Sequence, residues 1–177
     1  MNYCLIGPTK SGKSTLALHI AQNLKLTIVD TGQMVRLTAD DNELKELAEG
    51  KLSNRGVHGQ NWINGMVDKA INQYPNGVLF VGYPRNIDQY LHIKDREDFK
   101  IVVHLASKSI RSSRCRNRPD DNDVSLKEKD NTFYGLLNQI HDKVDLFLTT
   151  DMTDGSVVHA IREMVDPSAH GFTASIS

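Results

Sequence analysis

Residues Gly7 to Ser14 read Gly-Pro-Thr-Lys-Ser-Gly-Lys-Ser and fill every fixed position of the pattern G-x-x-x-x-G-K-[ST]. Such a loop cradles phosphate only when a strand delivers the chain to it and a helix carries the chain away. Both flanks fit. Tyr3-Cys4-Leu5-Ile6 is a short apolar run, and Thr15 to Leu24 carries Leu16, Ile20 and Leu24 at helical spacing. Glycine lets the backbone turn its N–H groups inward, and the helix start adds partial positive charge at the same place. Gly7, Pro8, Thr9, Lys10, Ser11, Gly12, Lys13, Ser14 and Thr15 are therefore the expected nucleotide-phosphate cradle. Lys13 is expected on the outer phosphates and Ser14 on a magnesium ion. Lys10 joins through its backbone, with its side chain expected in solvent.

Short apolar runs recur after the loop. Leu26 to Val29, Val78 to Val81, Ile101 to Leu105 and Leu146 to Leu148 read as strands, with little alternation, as for strands buried on both faces. Helical stretches lie at 33–49, 59–73, 86–94, 107–117, 123–143 and 155–165. The alternation predicts a three-layer α/β fold, a five-stranded parallel sheet covered on both sides, with ligands at the C-terminal strand ends. Asp30, Gly82 and the Gly7 loop fall at such ends. The chain has 177 residues, enough for one domain, and a formal net charge of −1, which gives no sign of nucleic-acid or acidic-membrane binding. There is no apolar run of spanning length and no signal segment, so a cytoplasmic monomer is expected, with no membrane and no nucleic acid as partners. Cys4 and Cys115 form no metal-type spacing and are expected as free thiols. The seven histidines are scattered and carry no metal pattern. Residues 166–177 are small and polar and are expected to form a flexible tail.

A phosphate loop names no acceptor. Gly82-Tyr83-Pro84-Arg85 follows the third strand, Thr31 to Arg36 opens the helix after the second, and Arg114, Arg116 and Arg118 run into Pro119-Asp120-Asp121-Asn122. Phosphoryl transfer asks for positioned cations and excluded water, and these arginines converge in such a fold. In order, the chain resembles the adenylate kinase family of nucleoside monophosphate kinases, the UMP/CMP kinases included. The resemblance covers residues 1–165 and rests on the loop, T-G-x-x-x-R at 31–36, E-G-K-L at 49–52, G-Y-P-R-N-x-x-Q at 82–89, R-P-D-D-N at 118–122 and D-G-S-V at 154–157. It implies a helical acceptor-binding insert at about 31–60 and a short, zinc-free lid at about 114–122. ATP would be the donor, with magnesium, and small-molecule nucleotides the ligands. Arg36 and Arg85 would hold the acceptor phosphate and Gln89 would read its base, with Thr31, Gly32 and Gly82 in the same substrate site. Lys13, Arg85, Arg114 and Arg118 would act on the transferring group, with Asp120 and Asp121 orienting the lid arginines.

The family's acids before G-[FY]-P-R and after T-G are here Val81 and Gln33, and a family arginine after the lid is Lys129. The family's glycine after the loop lysine is Ser14, a hydroxyl ligand in other phosphate-loop proteins. Asp30 is read either as facing the metal's waters or as capping the next helix. Of Arg111, Arg114, Arg116 and Arg118, about two are expected in the site, because they spread around a helix. The expected reaction is transfer from ATP to AMP. The alternatives are a UMP/CMP-type acceptor or a nucleotide-binding regulatory protein of impaired catalysis.

Overall fold

The structure, a computed structural model, describes residues 1–38, 60–115 and 123–166. Its strands are β1 (Asn2–Ile6), β2 (Thr27–Asp30), β3 (Val78–Val81), β4 (Phe99–Leu105) and β5 (Leu146–Thr149). Its helices are α1 (Lys13–Leu24), α2 (Thr31–Thr38), α3 (Gln60–Gln73), α4 (Ile87–Ile93), α5 (Lys108–Cys115), α6 (Asp123–Ile140) and α7 (Asp154–Val165), with a 3₁₀ turn at His141–Lys143. The strands form one parallel sheet in the order β2-β3-β1-β4-β5. The phosphate loop therefore leaves the central strand.

Strands β1 to β4 split their side chains between two cores, as their period of two requires, whereas β5 contributes Leu146 and Leu148 to one core and leaves Phe147 exposed. Tyr3 and Leu5 of β1, with Leu79, Val81 and Val102, pack against Ala17 and Ile20 of α1 and Val157 and Ile161 of α7. Cys4 and Ile6, with Phe80 and Val103, pack against Val67 of α3, Ile93 of α4 and Phe133 and Ile140 of α6. Burying one such side chain is worth roughly 1.5–3 kcal/mol. Two-sided burial explains why the strands read as unbroken apolar runs. Among the described residues no helix is long and apolar enough to cross a membrane.

Strand β4 begins two residues before the apolar run that marks it in sequence. Asn2 aligns with Phe99, and Phe99 stacks on Phe80 with ring centroids 6.0 Å apart while the Arg96 guanidinium lies 5.1 Å from its centroid. Helix α1 begins at Lys13, with the expected Thr15 already in its first turn. The helical acceptor insert falls mainly on residues 39–59, and most of the short lid on 116–122, both outside the described residues, as is the tail from 167.

Candidate active site

The loop is tied back on itself. The Ser11 N–H donates to the Pro8 carbonyl at 3.2 Å, and Ser11 is fully buried. Gly7 is compelled by close approach: a Cβ there would overlap the His104 carbonyl of β4. Lys10 and Gly12 take left-handed backbone, φ 65° and φ 97°. Gly12 is the N-cap of α1, and no side chain caps that end. The helix start is left for an anion, with Ser14 and Thr15 exposed in its first turn.

Lys13 is the first helical residue, and its Nζ donates to the Gly7 and Pro8 carbonyls, each at 2.8 Å, and to Ser11 Oγ at 3.5 Å. It lies folded over the loop that it is expected to serve. Burial lowers its pKa to about 8, and nearby Arg85 and Arg111 push the same way, against Asp30 and Asp130. Arg85 thus lies within electrostatic reach of the loop lysine, as convergence at adjacent strand ends demands.

The segment after β3 builds the second half of the site. Gly82 has φ 79°, its N–H donates to the Leu5 carbonyl at 3.0 Å, and the Tyr83–Pro84 peptide is cis. Arg85 is exposed, and its backbone N–H donates to Gln89 Oε1 at 2.7 Å. The Gln89 N–H donates to Asn86 Oδ1 at 3.0 Å, so Asn86 caps α4. The two side chains brace the start of α4, Asn86 as its N-cap and Gln89 by reaching back to the N–H one residue before that cap. Gln89 is only 4% exposed. Its carboxamide oxygen serves the backbone that carries Arg85, a local role not foreseen in the motif.

Thr31 is buried, and its hydroxyl donates to the Val81 carbonyl at 3.1 Å, tying the start of α2 to the end of β3. Gly32 follows in the first turn of α2. Asp30 caps that helix, accepting from the Gln33 N–H at 2.9 Å. Of its two readings, capping is the one the structure contains, and its closeness to Lys13 is a second consequence of the same position. Arg36 lies on α2, with its side chain outside the described residues, and Arg118, Asp120 and Asp121 are outside them altogether.

Helix α5 brings up two arginines one turn apart. Arg114 Nη1 donates to the Lys10 carbonyl at 2.9 Å, on the outside of the loop. Arg111 is 9% exposed, and its Nη1 donates to both oxygens of Asp130 at 2.8 Å and to the Thr9 carbonyl at 3.4 Å. Arg111 was legible only as one of four candidate arginines, and Asp130 on α6 carried no signal at all. His104 was missed too. Burial, then the charges of Lys13 and Arg114, lowers its pKa to about 4, so the imidazole is neutral beneath the loop. Its Nδ1 is buried with no partner among the described residues. Among the described residues no three His, Cys, Asp or Glu side chains are grouped to hold a metal.

Residues 6–127 match the family described as the AAA domain. In sequence the chain is similar to adenylate kinase 2 of Schistosoma mansoni, 33% identical over 120 residues, which are 60% of this chain and 50% of that protein. It is also similar to UMP-CMP kinase 2 of Caenorhabditis elegans, 28% identical over 142 residues, 73% of this chain and 74% of that one. The matched stretch spans about half the length of the adenylate kinases of Chlamydia abortus and Schistosoma mansoni. Among solved structures it is similar to a gluconokinase from Sinorhizobium meliloti 1021, with TM-score 0.66 and 13% identity, covering 95% of this chain and 93% of that one. At that identity the likeness is one of fold, a phosphate-loop α/β kinase fold.

Proposed function

We propose that this chain, which belongs to the AAA-domain family, transfers the γ-phosphoryl group of ATP to a nucleoside monophosphate. The observation that supports the reading is that Arg85 acts electrostatically on Lys13 from the neighbouring strand end, so a second cation is available near the phosphate loop. One phosphate site suits a binding protein; two that face each other suit transfer between phosphates.

The residues divide the work. The loop N–H groups and the start of α1 bind the donor phosphates. Lys13 turns from the Gly7 and Pro8 carbonyls to the phosphates, and its ammonium neutralises charge that develops on transfer. Arg85, fixed by Gln89 and Asn86, holds the acceptor phosphate, with Arg36 proposed beside it. On the family resemblance, Arg114 and Arg118 would shield the transferring group from water, with Asp120 and Asp121 to orient them. The donor set suits magnesium carried on the nucleotide, because Ser14 is exposed at the helix start and a carboxylate cage is absent among the described residues. The ion would supply further neutralisation of the transferring group.

AMP is our first acceptor, on the similarity at Gln89. Because Arg85 N–H holds Gln89 Oε1, recognition of a base falls to the Gln89 amide Nε2 and to residues around it. UMP and CMP are the alternatives. A nucleotide-binding regulatory protein is favoured by one observation: Val81, where the family carries an acid, is a 3% exposed core residue. Transfer from Mg-ATP to AMP, CMP, UMP, GMP, dTMP and gluconate tests all of these. Transfer to one monophosphate, lost in Lys13→Ala, supports the proposal. Transfer to gluconate alone, or ATP binding with no transfer, sinks it.

A further inference from the structure

We propose that Arg111 and Asp130 form a positioning pair for the phosphate loop, in which the carboxylate aims a buried guanidinium that holds the Thr9 carbonyl outward. The inference needs a nucleotide on the loop but is independent of the acceptor. Three observations support it. The pair links α5, α6 and the loop through one nitrogen, Arg111 Nη1, with bonds of 2.8 Å to each Asp130 oxygen and 3.4 Å to Thr9. Arg114, three residues on, holds the next carbonyl of the loop, that of Lys10, at 2.9 Å. Two successive carbonyls are thus turned toward cations on α5, which leaves the loop N–H groups to face the opposite, phosphate side. Finally, the guanidinium is buried, with Nε lacking a partner among the described residues. A buried arginine with an unmet donor is costly to the fold, and a surface salt bridge would not require it.

The experiment compares Arg111→Met, Arg111→Lys, the near-isosteric Asp130→Asn and the double variant of Arg111→Met with Asp130→Asn against the unaltered chain. Affinities for ATP and for inorganic tripolyphosphate are read by calorimetry at pH 7, well below each melting temperature. Both should weaken by roughly tenfold in Arg111→Met, the worth of one charge-assisted hydrogen bond. By charge alone, removing the Asp130 carboxylate from beside a phosphate site would strengthen anion binding; if the carboxylate aims Arg111, Asp130→Asn should weaken it instead. The double variant should bind no more weakly than Arg111→Met, because Asp130 acts through Arg111. Arg111→Lys should recover only part of the affinity, because it keeps the charge without the planar guanidinium. An unchanged affinity in folded Arg111→Met, a tighter one in Asp130→Asn, or losses that add in the double variant overturn the proposal. If Arg111→Met fails to fold, Asp130→Asn decides it by the direction of its change. Absence of ATP binding by the unaltered chain with tripolyphosphate binding retained would remove the kinase reading and leave the pair to be judged on tripolyphosphate; absence of both overturns the pair as well.

Discussion

The two ends of the sheet handle charge differently. At the N-terminal end, Arg96 donates Nε and Nη2 to Asp98 at 3.0 and 3.1 Å and Nη1 to Asp68 at 3.2 Å. Asp68 also meets His92, and Asp98 accepts from Asn2 Nδ2 at 2.9 Å while Asn2 Oδ1 accepts from the Val78 N–H. There, charge is spent on holding strand starts in register. At the C-terminal end, Lys13, Arg85, Arg111 and Arg114 gather at the loop, and among the described residues the carboxylates that act on Lys13 are Asp30 and Asp130. One of those is joined to Arg111 and the other caps α2. Among the described residues, cations gather where a helix start also points, an arrangement suited to an arriving phosphate. The first end is built for stability and the second for an anion.

The largest expected effect comes from breaking the second end. Lys13→Ala should lower turnover by on the order of 10²-fold or more, as the loss of a preorganised donor does, while leaving the melting temperature close to that of the unaltered chain. A steady-state assay beside a thermal melt checks both; a melt that collapses with the rate would make Lys13 structural. The pH dependence sharpens the same point. ATP favours the charged ammonium, so its affinity should fall as pH rises through about 8, by at most about tenfold per pH unit for one linked proton. Fold stability moves the other way. The folded pKa, about 8, lies below the unfolded value of about 10.4, so between the two the unfolded chain binds more protons and this group's contribution to stability increases with pH. Calorimetric ATP titrations at pH 7 to 10 would show the first trend, and a flat profile would contradict it.

These contrasts also explain what the sequence made legible. The strands were visible because burial on both faces leaves no polar interruption, and β3 is found at the expected residues. The first turn of α1 was hidden because Lys13 and Ser14 belong to a loop pattern and to a helix at once. The start of β4 was hidden because Lys100 interrupts its apolar run, although Lys100 is half-buried and pairs with Asp145 at 2.8 Å. The loop, Arg85 and Gln89 were legible as motif positions, but what Gln89 binds was not, since a motif names a residue without its partner. The Arg111–Asp130 pair lies beyond such reading. Its members are 19 residues apart on two helices, and only packing brings them together.

The first end can be broken in turn with a smaller effect. Asp98→Ala removes acceptors of Arg96 and Asn2, and should cost about 1 kcal/mol, an amount limited by solvent because the Asp98 side chain is 44% exposed. Turnover per folded molecule should stay unchanged. The hydrogen bond from Arg96 holds the Asp98 carboxyl below the usual carboxylate range. Its contribution is therefore present above the unfolded pKa of about 3.9 and lost as pH falls through the lower folded value. Denaturant melts at pH 7 and pH 3 would reveal this, because the difference between variant and unaltered chain should shrink at the acid end. A drop in turnover of the folded variant would mean that the two ends are coupled.

The smallest effect tests backbone conformation along the helix that joins the two ends. Helix α1 starts at left-handed Gly12 and ends at left-handed Lys25, φ 56°. The Lys25 N–H donates to the Ala21 carbonyl, as does the Leu26 N–H at 3.0 Å, so both close on one carbonyl of the last turn. Its side chain is exposed and the left-handed backbone costs an L-residue roughly 1–2 kcal/mol. Glycine removes that strain but loses more conformational entropy on folding, roughly 0.5–1 kcal/mol. The difference favours Lys25→Gly by about 0.5 kcal/mol, to be read as a small rise in melting temperature with unchanged ATP affinity. The comparable change at the other end, Lys10→Gly, relieves the same strain at φ 65°. There it should loosen the backbone whose carbonyl Arg114 holds, so any gain in stability should come with weaker ATP binding. If both substitutions stabilised the chain with equal and unchanged ATP affinity, left-handed backbone in the loop would serve the fold alone, and the contrast between the two ends would rest on charge.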